Sequence, residues 1–236
     1  MKYVVGDIHG GYLAFKEVLD KVDFDYINDE LVCLGDVCDG WSGLGEIVEL
    51  LNKINNLILI KGNHDDWALK YCDGKIQKGD YDCWLAHGGL VTKNWLDIDN
   101  NKEKFTKLFS SSKVYHIENN MIFAHAAIPL DLEFDKYPES FWFWDRGFIQ
   151  DMYNHSLGRK SLKYKYIKNC PYDKVFVGHT PTKLNGYEPW EFMFLRNIDT
   201  GSAFDGYLTI MNIETDEYVK STRLIDLYLN EKGRNK

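Results

Sequence analysis

Short apolar runs recur along the first third of the chain, each closed by glycine and followed by helical spacing. Residues 3–5 predict a buried strand that runs into "GDIHG". From Tyr12 to Val22, the apolar residues Phe15, Val18, Leu19 and Val22 keep the period of an amphipathic helix. Residues 31–34 predict a second strand, and Leu44, Ile47, Val48, Leu51 and Ile54 share one face of a second helix. "LILI" at 57–60 predicts a third strand, ending in "KGNHDDW". Three strand–loop–helix units in succession predict an α/β sheet, where ligands sit at the loops leaving the strand ends.

After about residue 72 the pattern loosens. "KVYHIENNMIFAHAA" (113–127) predicts a hairpin turning at Asn119-Asn120, with His125 at the end of its second strand. Residues 139–168 read as mostly helical and aromatic, and "KVFVGHTPT" (174–182) as strand then loop. The remainder, from "FMFLRN" to "YVKS", alternates like antiparallel strands with glycine-rich turns. With no repeat, low-complexity segment or linker, residues 1–236 are expected to form a single domain.

Composition narrows the functional classes. The 236 residues can bury a full core. A formal net charge of −8 argues against non-specific binding to duplex nucleic acid, which needs basic surface. That sign does not exclude small phosphorylated ligands, because a metal ion supplies positive charge locally. Five cysteines without a CxxC pair are expected to be free thiols in a reducing compartment. "MKYVVGD" lacks the apolar region of a signal peptide, and no run approaches a bilayer span. The expectation is a cytoplasmic protein without a membrane partner.

The chemistry gathers at the predicted strand ends. They supply Asp7 and His9, then Asp36 and Asp39, then Asn63, His64 and Asp65, and later His125 and His179. Two carboxylates at a strand end, such as Asp36 and Asp39, cap a turn, bind a cation or do acid–base work. Asp7 and His9 are two apart, so both project to one side of extended backbone and can share a divalent cation. Asp36 has two carboxylate oxygens and can bridge two cations, leaving Asn63, His125 and His179 for the second. Mixed oxygen and nitrogen ligands suit Mn²⁺, Fe or Zn²⁺ better than Ca²⁺. Any one of these residues alone would read as a cap or a packed side chain. Their joint occurrence at five strand ends, each beside glycine or alanine, is not explained by capping.

Taken together, "GDIHG", "GDVCDG", "GNHD", "AHAA", "GHT" and "DTG" resemble the motif series of calcineurin-like metallophosphoesterases, from residue 6 to about residue 201. Their order is most similar to the phosphoprotein-phosphatase branch, which includes phage lambda-type phosphatases and symmetrical dinucleoside tetraphosphatases. The resemblance implies a four-layer α/β/β/α sandwich with a dinuclear metal site at the strand ends. It assigns Asp7 and His9 to one ion, Asp36 to the bridge, and Asn63, His125 and His179 to the other. It places His64 as the general acid, Asp39 as its carboxylate partner, and Arg146 of "FWFWDRG" as a phosphate-binding arginine. The implied reaction is in-line attack of a metal-activated water on a phosphomonoester, with Mn²⁺ the favoured ion. Phosphoproteins, small phosphomonoesters and nucleotides are the implied substrates, with dinucleoside polyphosphate hydrolysis or another phosphodiesterase activity as the alternative.

The sequence departs from that motif at one place. The family usually has G-D-x-V-D-R-G, and here Gly40 and Trp41 replace the arginine and the glycine. One phosphate-binding arginine is therefore absent from its usual position. A non-catalytic binding module on the same scaffold would be expected to have lost ligands, and none of the six is lost. His87 of "WLAHGG" reads as a loop residue packed beside the site, since six ligands already fill two sites. The aromatics of 141–148 read as core, with base stacking as the alternative. The terminal "KGRNK" reads as a solvated tail.

Overall fold

The computed structural model describes residues 1–159 and 167–235. One sheet contains β1 (Lys2–Val5), β2 (Glu30–Cys33) and β3 (Asn56–Leu59), which are parallel, with β9 (Thr209–Asn212) and β10 (Tyr218–Lys220) antiparallel at its edge. The strand order is β10-β9-β1-β2-β3. The second sheet has the order β4-β5-β6-β8-β7. Its elements are β4 (Tyr115–Glu118), β5 (Met121–Ala124), β6 (Lys174–Val177), β7 (Trp190–Phe192) and β8 (Leu195–Asn197). Here β5, β6 and β8 run parallel.

Both faces of both sheets are covered, so the central strands read as unbroken apolar runs. Alternate residues separate the two faces. Val4, Val32, Phe123, Phe176 and Met211 meet between the sheets, with the Phe123 and Phe176 rings stacked at 4.9 Å and nearly coplanar at 5°. Truncating Phe176 to alanine would cost about 3–5 kcal/mol, as deleting a buried aromatic ring usually does. Their neighbours Val5, Leu31 and Cys33 face outward onto α1 (Tyr12–Lys21) and α2 (Leu44–Leu51). Ile122, Val175 and Val177 pack outward onto α7 (Glu139–Trp144) and α8 (Gly147–Ser156). The expected α/β/β/α layering is therefore present.

At the end of the sandwich away from the candidate site, Asp216 in the β9–β10 turn clasps the sheets together. It accepts from Lys174 on β6 at 2.9 Å and from Arg196 on β8 at 3.0 Å. The expected hairpin turns where predicted, with Asn119 and Asn120 both at positive φ (46° and 61°), the geometry that asparagine tolerates in a tight turn.

The loosened region proves helical. After α3 (Asn63–Cys72), the helix of the third predicted unit, come α4 (Lys78–Trp84), a π turn over Leu85–Gly89, α5 (Leu90–Leu96) and α6 (Asn101–Phe109). The aromatic stretch expected to be mostly helical breaks between α7 and α8 at Asp145, whose carboxylate caps α8 through the Phe148 amide at 2.8 Å. Its part from 160 to 166 lies outside the described residues. Trp142, Phe143 and Phe148 are core as expected, whereas Trp144 is exposed. The terminal segment is not a solvated tail: after α9 (Leu224–Leu227) it folds back over Trp41. Among the described residues, no helix is long and apolar enough to cross a membrane.

Candidate active site

The C-terminal ends of the parallel strands converge, and there the structure brings together the nine residues to which the sequence reading gave a role. Asp7 and His9 leave β1, Asp36 and Asp39 leave β2, and Asn63 and His64 open α3 just after β3. His125 follows β5 and His179 follows β6. Arg146 lies in the break between α7 and α8, held there by the Asp145 cap.

Sharp loop geometry turns these side chains inward. His9, Asp36, Asp39 and His179 all have positive φ (49°, 49°, 72° and 64°), a conformation that costs a residue with a Cβ and that clusters at functional sites. Glycine lets the loops interlock. A Cβ on Gly178 would lie 2.0 Å from a carboxylate oxygen of Asp7, and one on Gly62 would lie 2.2 Å from a carboxylate oxygen of Asp36.

Two groups of donor atoms result, Asp7–His9–Asp36 and Asp36–His125–His179, with the atoms of each within 4.8 Å of one another. Asp36 belongs to both. The His125 Nε2 lies 3.2 Å from the Asn63 carbonyl oxygen, 3.2 Å from the His179 Nδ1 and 3.4 Å from Asp36 Oδ2. Ligands about 2.0–2.2 Å from one ion stand about 3–3.5 Å apart, so this cluster fits a cation at its centre. The other group is a little wider, with the His9 Nε2 at 3.9 Å from Asp7 and 3.6 Å from Asp36. Two of the three imidazoles, His9 and His125, are also oriented for ligation. The Nδ1 of His9 bonds the Cys38 carbonyl at 3.1 Å and the Nδ1 of His125 bonds the Leu34 carbonyl at 2.8 Å. Such bonds leave the Nε2 lone pair free for a metal.

The electrostatics point the same way. Burial would raise Asp36, but the imidazoles of His125 and His64 hold it well below the usual carboxylate range. Burial, together with the charges of Asp199 and Asp36, pushes Asp7 well above it. Burial would lower His125, but Asp36 and Asp7 lift it to about 10. Burial and the neighbouring His125 drop His179 to about 2. So many buried groups that perturb one another are costly in the absence of cations.

Beside these groups, the His64 Nδ1 lies 2.5 Å from Asp39 Oδ2, and both side chains are buried. The same oxygen accepts the indole N–H of Trp84 at 2.8 Å, and the Asp39 amide donates to Thr92 at 2.8 Å. The Nε2 of His64 faces Asp36 at 4.0 Å. Asp36, Asn63, His64, Arg146 and His179 line a cavity of about 140 Å³ together with Trp67, His87 and Trp144. His87 thus borders the cavity and lies outside both donor groups, as expected.

Asp65, named at the third strand end without a role, is buried and ties the β2 loop to α3 by accepting from the Gly62 and Val37 amides, each at 3.0 Å. Other contributors escaped sequence reasoning. Asp199 of "DTG" is buried near Asp7. Trp84 and Thr92 come from the unrecognised helices. Arg234, from the segment expected to be a solvated tail, also lines the cavity.

Residues 3–183 match the family model described as calcineurin-like phosphoesterase. The chain is 28% identical to the asymmetrical bis(5′-nucleosyl)-tetraphosphatase PrpE of Bacillus cereus, over 89% of each chain. It is 27% identical to serine/threonine-protein phosphatase 1 of Salmonella typhimurium, over 90% of this chain and 91% of that one. Among solved structures, the cold-active protein-tyrosine phosphatase of a psychrophilic Shewanella superposes with a TM-score of 0.63 at 13% identity. That superposition covers 94% of this chain and 80% of the other, and it is a likeness of fold.

Proposed function

The chain belongs to the calcineurin-like phosphoesterase family and is a metal-dependent phosphoric ester hydrolase; on that premise we propose that it hydrolyses phosphomonoesters in the manner of serine/threonine protein phosphatases. The observation that carries this reading is the sharing of Asp36 by two donor groups beside the His64–Asp39 pair. Asp7, His9 and Asp36 would hold one divalent cation, and Asp36, Asn63, His125 and His179 the other. Mn²⁺ is the ion we favour, within the class of mixed nitrogen and oxygen sites that also includes Fe and Zn²⁺. When bound, two such cations clamp the phosphoryl oxygens and lower the pKa of a water.

The remaining work belongs to side chains of this chain. Asp39 fixes the His64 ring through Nδ1, and in the imidazolium form the second proton, on Nε2, faces the cavity. From there it protonates the leaving alkoxide. Among the described residues Arg146 donates only a long 3.4 Å bond, to Thr180, which leaves its fork available for two phosphoryl oxygens. Trp67 and Trp144, packed edge to face at 4.8 Å, screen that side from water.

A cavity of about 140 Å³ suits a phosphoryl group with its leaving oxygen and is small for an enclosed nucleotide. One observation favours dinucleoside polyphosphates as a second reading. A largely apolar cavity of about 220 Å³ begins at Thr180, the partner of Arg146, and is walled by Tyr153 and Trp190. A nucleoside carried by the leaving group could lie there. Comparing kcat/KM of the Mn²⁺-loaded protein on a phosphopeptide, p-nitrophenyl phosphate and diadenosine tetraphosphate decides. The first reading expects the monoesters to lead, and a preference for the tetraphosphate by tenfold or more would replace it with the second.

A further inference from the structure

The space beside Gly40, where the family's arginine is missing, is filled from the other end of the chain. Gly40 has φ +91°, and a Cβ there would lie 3.6 Å from the Cγ of Arg234. On the opposite side, a Cβ on Gly88 would approach the same Cγ to 2.9 Å. The two glycines are themselves joined, Gly40 donating its amide to the Gly88 carbonyl at 3.2 Å. Their missing side chains form a slot for the arginine stem. Its backbone amide donates to the Ala203 carbonyl at 2.8 Å, and its guanidinium carbon lies 5.3 Å from the Phe204 ring centre.

The second departure from the motif seats this segment. Trp41 is fully buried and stacks on Tyr228 at 4.9 Å, while a Cβ on Gly233 would strike its ring at 2.6 Å. Next to it, the Ser42 amide and hydroxyl donate to Glu231 at 3.0 and 2.7 Å. Gly40 therefore leaves the slot and Trp41 anchors the chain that fills it.

The guanidinium is placed for an anion. It lines the same cavity as Arg146, His64 and Asp36 and is close enough for its charge to act on His9. Its Nε is buried without a hydrogen-bond partner among the described residues, an arrangement that costs free energy until an acceptor arrives. Two guanidinium groups bordering one small cavity also repel each other unless an anion lies between them.

We propose that Arg234, brought in by the C-terminal segment, is a second phosphate-binding arginine, acting with Arg146 in place of the arginine absent at residue 40. The proposal rests on the phosphohydrolase reading, and the test separates the two. Calorimetry of inorganic phosphate binding to the Mn²⁺-loaded full chain, with KM for p-nitrophenyl phosphate, is measured for wild type, Arg234→Ala and Arg234→Lys. Arg234→Ala is expected to raise both the phosphate Kd and KM by about tenfold or more, the scale of one charge-assisted contact. Arg234→Lys keeps the stem and the charge but loses the fork, so a rise of about threefold to tenfold at unchanged Tm and metal content is expected. If the alanine variant does not fold, the lysine variant decides alone. A phosphate Kd and KM within twofold of wild type in the folded variants would overturn the role of Arg234 while leaving the phosphatase intact. Wild-type protein that neither binds phosphate nor hydrolyses the ester would overturn both.

Discussion

The imidazole of His64 and the carboxylate of Asp39 form a buried pair 2.5 Å apart, with no solvent to compete for the bond. The outer nitrogen of His64 faces the cavity, and in the proposed reaction the pair makes His64 the proton donor. His64→Asn is expected to lower kcat on alkyl phosphates by about two to four orders of magnitude. The loss should be smaller for p-nitrophenyl phosphate, whose leaving group scarcely needs a proton. Metal content measured alongside should stay near two ions per chain. Equal losses on both esters would remove His64 from the acid role, and a collapse of metal content would make it a ligand.

Gly178 and Gly79 offer a matched pair of alanine substitutions. At Gly178 the new methyl would lie 2.0 Å from Asp7 Oδ1, so the carboxylate must move and the ion shared with His9 should be weakened. At Gly79, inside α4, nothing lies within 4 Å of a Cβ. There alanine should be neutral for metal binding and stabilising by about 0.5–1 kcal/mol through helix propensity. Elemental analysis and thermal melts on both variants check the contrast. Full metal content in Gly178→Ala would show that Asp7 is not a required ligand.

Much of the candidate site was legible because most of its residues follow short strands buried on both faces. Such strands read as largely apolar runs, and the glycine or alanine after each marks where the backbone turns toward the site. The positive φ of His9, Asp36, Asp39 and His179 was not legible, because those residue types give no sign of it outside the assembled loops. The helices from 78 to 109 were hidden by weak periodicity. "KGDYDCW" mixes glycine and charge with its few apolar residues, and Gly88 breaks the run at φ +99°. Trp84 and Thr92, which hold Asp39, went unseen with them. Arg234 had no local signal at all. Its neighbours are polar and small, and its packing partners Gly40 and Gly88 lie more than a hundred residues away in sequence. The unexplained change at Gly40 and Trp41 was the clue, and only the folded chain connected it to residue 234.

The Asp216 clasp yields a pH dependence with a definite sign. Burial would raise its carboxyl, but the bonds to Arg196 and Lys174 hold it below the usual carboxylate range. A depressed carboxyl contributes stability that is complete above its unfolded pKa of about 3.9 and is lost as pH falls through the lower folded value. Asp216→Asn should therefore lower stability by about 1 kcal/mol at pH 7. Asparagine also tolerates the positive φ of 61° at this turn, so charge is the main change. Urea midpoints of the two proteins should converge as the pH is taken down through the lowered folded value of that carboxyl. A gap that persists unchanged at low pH would mean that packing, and not the ion pairs, sets the effect.

The sharing of one carboxylate by two cations is the centre of the account. It is tested most directly by titrating Mn²⁺ into chelator-stripped protein in a calorimeter while following hydrolysis of p-nitrophenyl phosphate. Wild type should take up two ions per chain and gain activity only as they bind. Asp36→Asn should lose tight binding at both sites together, because a neutral amide bridges two cations poorly. Full hydrolysis by the stripped protein, or two tightly held ions in Asp36→Asn, would contradict it.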